Sequence, residues 1–123
     1  MARVLVATAS VHTTATACDY LSTRLTGADD VVVLTVREDD LANRDAGDAG
    51  NVARTRLVAP AVETVTRDGD PASAIKAVAA DRDVDSIVVG PHRGDPDLAG
   101  DPPGSTVRAL LADADRPVTV VPL

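Results

Sequence analysis

The chain has 123 residues, 45% of them hydrophobic and 25% charged, with a formal net charge of −7; this length fits a single domain, 1–123, with a real core. Of its 19 acids only Glu38 and Glu63 are glutamate, and of its 12 bases only Lys76 is lysine. That balance excludes a surface built to meet nucleic-acid phosphates, the lone Cys18 excludes an intrachain disulfide, and no apolar run is long enough to span a bilayer.

Arg3–Ala7 is a short apolar run and reads as the first strand. The segment Met1-Ala2-Arg3-Val4-Leu5-Val6 enters that strand without the plan of a signal peptide, so a cytoplasmic location is expected. Thr8–His12 is small and polar, a loop. From Thr13 to Leu25 the residues Thr14, Cys18, Leu21 and Leu25 recur at helical spacing, with Gly27 as the stop. Val31–Val36 is a run of the kind buried on both faces in a parallel sheet.

Residues 39–59 carry weaker signals: a loop through Asp39, Asp40, Asn43, Asp45, Gly47, Asp48 and Gly50, then a short helix within Val52–Val58, stopped by Pro60. Val62–Arg67 alternates and predicts a third, less buried strand. Asp70-Pro71 predicts a capped helix start, because the Asp side chain accepts from the first turn and proline needs no N–H there. That helix runs to about Ala80 with Ile75, Val78 and Ala79 inward. Asp83–Asp85 is a turn and Ser86–Val89 a fourth strand. Gly90–Gly104 is a long Gly/Pro/Asp loop. Ser105 opens a last helix with Val107, Leu110, Leu111 and Ala114 inward, and Pro117–Val121 is the final strand.

The order β-α-β-(α)-β-α-β-α-β implies a parallel sheet with helices on both faces and right-handed crossovers. With no Phe, no Trp and one tyrosine, Tyr20, the core must be filled by Val, Ala, Leu and Ile. An Asp-rich, Lys-poor surface over such a core is similar to that of proteins from high-salt cytoplasm, where salt screens self-repulsion.

Ligands of open parallel sheets sit beyond the C-terminal strand ends, where strand order reverses. The polar loops Thr8–His12 and Gly90–Gly104 share such a crevice if strands one and four are neighbours. The second loop ends at Gly104-Ser105-Thr106, a helix N-terminus whose unpaired N–H groups and partial positive charge suit phosphate. The alternative is a plain cap, with Ser105 satisfying its own helix. His12 and His92 could form a metal pair with Asp95 or Asp97, but read better as surface residues, so no metal site is expected. Ser10 could contact phosphate or cap the first helix. Cys18 reads as an inert core thiol, and no catalytic constellation stands out.

Val4-Leu5-Val6-Ala7, Leu34-Thr35-Val36, Gly69-Asp70-Pro71, Val88-Val89-Gly90-Pro91-His92, Gly104-Ser105 and Pro117-Val118-Thr119-Val120-Val121 occur in one order over nearly the whole chain. In this the chain resembles the universal stress protein family. The resemblance implies an open, doubly wound, five-stranded parallel sheet of order 3-2-1-4-5, Rossmann-like and of the adenine nucleotide alpha hydrolase-like type. It implies ATP or another adenine nucleotide at the crevice, with Mg²⁺ or Mn²⁺, and any hydrolysis slow. The positions it would use are Ala7, Thr8, Ala9, Ser10, Val36, Val89, Gly90, His92, Arg93, Gly94, Gly104, Ser105 and Thr106.

It also implies a homodimer through the final strand, with Val118, Thr119, Val120 and Val121 at the interface. The apolar character of that strand supports this, since an apolar edge needs a partner. The sequence departs from the family's G-x2-G-x9-G-(S/T) pattern at Arg93, where the second glycine belongs; Gly94 follows one residue later. Ala9 stands where binding members carry an acid. Pro91, Pro96, Pro102 and Pro103 stiffen the loop, and Asp95, Asp97 and Asp101 add negative charge that Arg93, Arg108 or a divalent cation would have to offset. Two functions therefore stand side by side: a nucleotide-binding stress-response protein, and a dimeric interaction module of the same family acting through protein partners. A small enzyme using the crevice is a third and weaker reading.

Overall fold

The computed structural model describes residues 2–8, 11–37, 51–54, 56–57, 61–91 and 104–122, with the backbone alone described at 11, 12 and 37. Strand β1 (Arg3–Thr8) leads to helix α1 (Val11–Ser22) and strand β2 (Asp30–Arg37). A short helical stretch at 51–54 and 56 precedes β3 (Ala61–Asp68). Helix α2 (Pro71–Asp81), β4 (Ser86–Val89), α3 (Ser105–Asp113) and β5 (Val118–Val120) complete the order. The five strands form one sheet in the order β3-β2-β1-β4-β5, with every pair parallel.

Strand alternation divides the core in two. Leu5 and Ala7 of β1, Val32 and Leu34 of β2 and Ile87 and Val89 of β4 pack against Ile75, Val78 and Ala79 of α2 and Val107 and Leu110 of α3. Val4, Val6, Val31, Val33 and Val88 point the other way, onto Ala17, Cys18 and Leu21 of α1, with Ala53 and Leu57. The register brings these residues side by side, Leu5 against Val32 and Ile87, and Val6 against Val33 and Val88. The central strands are thus apolar on both faces because both faces are covered by helices.

The N-terminal edge of the sheet is fixed by carboxylates. Asp29, buried, accepts the Ala2 N–H at 2.6 Å and the Thr26 N–H at 2.7 Å. Its own carbonyl accepts from Ala61 at 3.1 Å, so one residue joins the starts of β1, β2 and β3. Asp85 accepts the Arg3 N–H at 2.8 Å, and the Arg3 carbonyl accepts from Asp85 N–H at 2.7 Å. At α2, Asp70 is the N-cap and accepts from Ser73 N–H and Oγ at 3.0 and 2.8 Å, with Pro71 behind it, as its sequence predicts. Gly69 before it has φ +108°, a conformation side chains rarely adopt.

Several boundaries differ from the sequence-based expectation. Thr8 closes β1 instead of opening the loop, because it pairs with Thr35 of β2. Helix α1 ends at Ser22, not Leu25: the Leu21 carbonyl takes both Arg24 and Leu25 N–H groups, which closes the last turn before Gly27. Strand β5 is shorter than Pro117–Val121. Leu111, expected inward, is 56% exposed. Helix α3 has only nine residues and flanks a three-residue edge strand, so the stripe it can bury is narrow and takes Val107 and Leu110. Leu111 lies about 100° further round the helix. Ala114 ends α3 as its C-cap, half-buried. Most of the 39–59 stretch lies outside the described residues; the helix expected there is present at 51–54 and 56, with Ala53 and Leu57 buried.

The Thr26 and Ala2 N–H groups hold the Asp29 carboxyl below the usual carboxylate range, outweighing burial. A depressed folded pKa contributes stability that is fully present above the unfolded value and is lost as pH falls through the folded one. Melting curves should therefore show wild-type stability falling on acidification below about pH 4. Asp29→Asn should melt lower at neutral pH and lose stability less steeply in that window; an unchanged melting temperature would remove Asp29 from this role.

Candidate functional site

The strand order reverses at β1, which has β2 on one side and β4 on the other. The chain leaving β1 turns into α1 on one face of the sheet, and the chain leaving β4 reaches α3 on the opposite face. In open parallel sheets such a divergence, beyond the C-terminal strand ends, is where a ligand crevice forms. Its floor holds Ala7 and Thr8 at the end of β1 and Val89 and Gly90 at the end of β4, all buried. Val36, half-buried, lies near the end of β2.

Helix α3 starts beside the end of β4. The Gly104 N–H donates to the Pro91 carbonyl at 2.7 Å, which ties residue 104 two residues beyond the last strand position. Gly104 is the N-cap, with φ −68° and ψ 174°, and among the described residues no side-chain cap bond is made there. Ser105 is therefore the first helical residue, exposed, and does not act as the cap that one reading of the sequence gave it; Thr106 is half-buried behind it. The Gly104 carbonyl accepts from Arg108 N–H at 3.1 Å, and the buried Val107 anchors the turn. The result is a helix N-terminus of positive partial charge with two hydroxyls and, among the described residues, no side-chain cap.

The crevice wall has a polar element that hydrophobic periodicity does not single out. Thr14, fully buried on α1, donates its hydroxyl to Thr8 Oγ1 at 2.8 Å. Thr35, also buried, stands beside Thr8 in the parallel register. The only sequence signal was a threonine at an inward helical position, which reads there simply as a small core residue.

The structure thus brings together Ala7, Thr8, Val36, Val89, Gly90, Gly104, Ser105 and Thr106 around the sheet's C-terminal side. Ala9, Ser10, His92, Arg93 and Gly94 lie outside the described residues, as do Asp95, Asp97 and Asp101 and hence the His12–His92 metal pairing. Among the described residues no three His, Cys, Asp or Glu side chains group as a metal site. No described helix is long and apolar enough to cross a membrane. Cys18 is buried with its thiol pushed up to about 11, by burial first and by Asp19 second, with Arg56 acting the other way. A protonated, enclosed sulfur is a poor nucleophile, which fits the inert reading.

The edge strand also has a defined character. Val118 and Val120 are half-buried and pack toward the α2/α3 core. The Val121 N–H donates to the Val89 carbonyl at 2.8 Å and the Ile87 N–H to the Pro117 carbonyl at 2.9 Å. Residues 117 and 121 therefore face β4, and in a parallel ladder 118 and 120 turn their backbone groups to the open edge. Val121 itself is buried in the α1-side core. The opposite edge, β3, exposes Glu63, Thr64, Thr66 and Arg67.

The family model described as the universal stress protein family matches residues 3–122. Among solved structures, a hypothetical protein whose biochemical function was assigned from its structure has TM-score 0.82 at 21% identity, covering 99% of this chain and 96% of that one. A universal stress protein family protein from Arabidopsis thaliana, with AMP bound, has TM-score 0.71 at 16% identity, covering 99% and 92%. The universal stress protein from Archaeoglobus fulgidus in complex with dAMP has TM-score 0.66 at 18% identity, covering 98% of each chain. No curated protein matches the chain.

Proposed function

The chain belongs to the universal stress protein family, and on that premise we propose that it binds an adenine nucleotide in the crevice between the ends of β1 and β4. One observation carries the proposal: α3 begins at a glycine with no side-chain cap, tied at 2.7 Å to the backbone just beyond β4. A phosphate group there takes the place of the missing cap and meets the first-turn N–H groups, with Ser105 and Thr106 hydroxyls as added donors. Ala7 and Val36 offer apolar surface for the base. The AMP and dAMP complexes of two proteins of the same fold support this choice of ligand.

Charge sets the form of the ligand. A chain of net charge −7 repels a free triphosphate, so ATP binds with Mg²⁺ or Mn²⁺ supplying the countercharge. The nucleotide then acts as a switch on a regulatory domain, with any hydrolysis slow. A second reading, a module that acts through its surface without nucleotide, is favoured by Ala9 and Arg93, which depart from the family's binding pattern. Both readings share a homodimer through β5, supported by the outward backbone groups at 118 and 120 beside half-buried valines, in contrast to the polar β3 edge.

Calorimetric titration in high-salt buffer with AMP, and with ATP plus Mg²⁺, is expected to show saturable binding. Gly104→Val should weaken it by more than about tenfold, because a side chain then occupies the phosphate position. Absence of binding to either nucleotide would favour the second reading, and full affinity in the variant would put the ligand elsewhere. The dimer is tested by sedimentation of Val120→Pro, which removes an outward N–H and leaves the β4 ladder intact. The expected mass falls from twice 12.6 kDa to 12.6 kDa; a variant that stays dimeric, or a monomeric wild type, rejects the β5 interface.

A further inference from the structure

We infer that the buried Thr14–Thr8 hydrogen bond is a positioning device for the crevice: it locks the end of β1 to the first half of α1 and so sets the wall against which a nucleotide packs. The inference rests on the nucleotide reading of that crevice and adds to it residues that lie behind the ligand.

The geometry is specific. Thr8 is the last residue of β1 and Thr14 is the fourth residue of α1, so their bond spans the β1–α1 connection from both ends. Thr14 Oγ1 donates to Thr8 Oγ1 at 2.8 Å with both residues buried. Alternation along β1 and β2 puts Thr8 and Thr35 on the α1 face of the sheet, continuing the series Val4, Val6 and Val31, Val33. The valine core therefore ends, at the ligand side only, in a layer of hydroxyls.

Valine has nearly the shape of threonine and the neighbouring core positions are valine. Hydroxyls retained at this one end instead give direction. A van der Waals contact lets a helix slide along a strand end, whereas a hydrogen bond fixes distance and angle, and a binding site needs its supporting residues fixed to a fraction of an ångström.

The test compares wild type with Thr14→Val, Thr14→Ser, Thr8→Val and the double Thr8→Val/Thr14→Val variant, reading AMP affinity by calorimetry and melting temperature separately. Thr14→Val should weaken AMP by about three- to tenfold, the range of one neutral hydrogen bond. Thr14→Ser, which keeps the hydroxyl, should bind within about twofold of wild type. The double variant should bind no better than either single change, since each of them removes the Thr14–Thr8 bond. Equal weakening by Thr14→Val and Thr14→Ser would assign the effect to shape and overturn the inference, as would wild-type affinity in the double variant. If wild type itself binds no AMP, the nucleotide reading fails first; if wild type binds and every variant binds equally, only the positioning role fails.

Discussion

From Val4 to Thr8 every residue of β1 is buried, and that double-sided enclosure constrains everything around it. A strand buried on both faces needs a helical layer above and below and a strand on each side. Leu5 and Ala7 face α2 and α3, Val4 and Val6 face α1, and β2 and β4 complete the ladder. The cores on either side are built almost wholly from aliphatic residues, so close packing falls to Val, Leu, Ile and Ala, whose few rotamers suit a regular sheet. The carboxylates of Asp29 and Asp85 close the N-terminal edge by taking backbone N–H groups at Ala2, Thr26 and Arg3.

The same enclosure produces the crevice. Because β1 leads into α1 on one face and its neighbour β4 leads into α3 on the other, the chain diverges beyond their C-terminal ends. What fills that end is chemically unlike the rest of the core: Thr8, Thr14 and Thr35 in place of valine, and glycine at both margins, Gly90 and Gly104. The edge strands differ in the same economical way, β3 exposed and charged, β5 short and apolar.

Much of this was legible in the sequence, for identifiable reasons. Val31–Val33 announces double-sided burial, Asp70-Pro71 the start of α2, and Gly104-Ser105 the start of the last helix. The strand order is the one implied by the family resemblance that the order of short motifs carries. Thr8 reads as loop because a threonine at a strand end has no periodicity of its own, and only its pairing with Thr35 places it in β1. Leu111 was placed inward because helical spacing cannot report how narrow the sheet beneath the helix is. The Thr14–Thr8 bond was hidden because an inward threonine looks like any small core residue until its partner is known. Around residues 39–59 the pattern was too polar to predict more than the short helix that buries Ala53 and Leu57.

The central claim is that ligand recognition belongs to the C-terminal side of the sheet, at β1, β4 and the start of α3. Amide chemical-shift mapping with AMP tests it most directly, since it locates binding without altering the protein. The account predicts perturbations clustered at Ala7, Thr8, Val36, Gly90 and Gly104–Thr106, with Asp29, Asp85 and the β5 edge unmoved. Shifts centred on the N-terminal edge of the sheet or on β3 would contradict it.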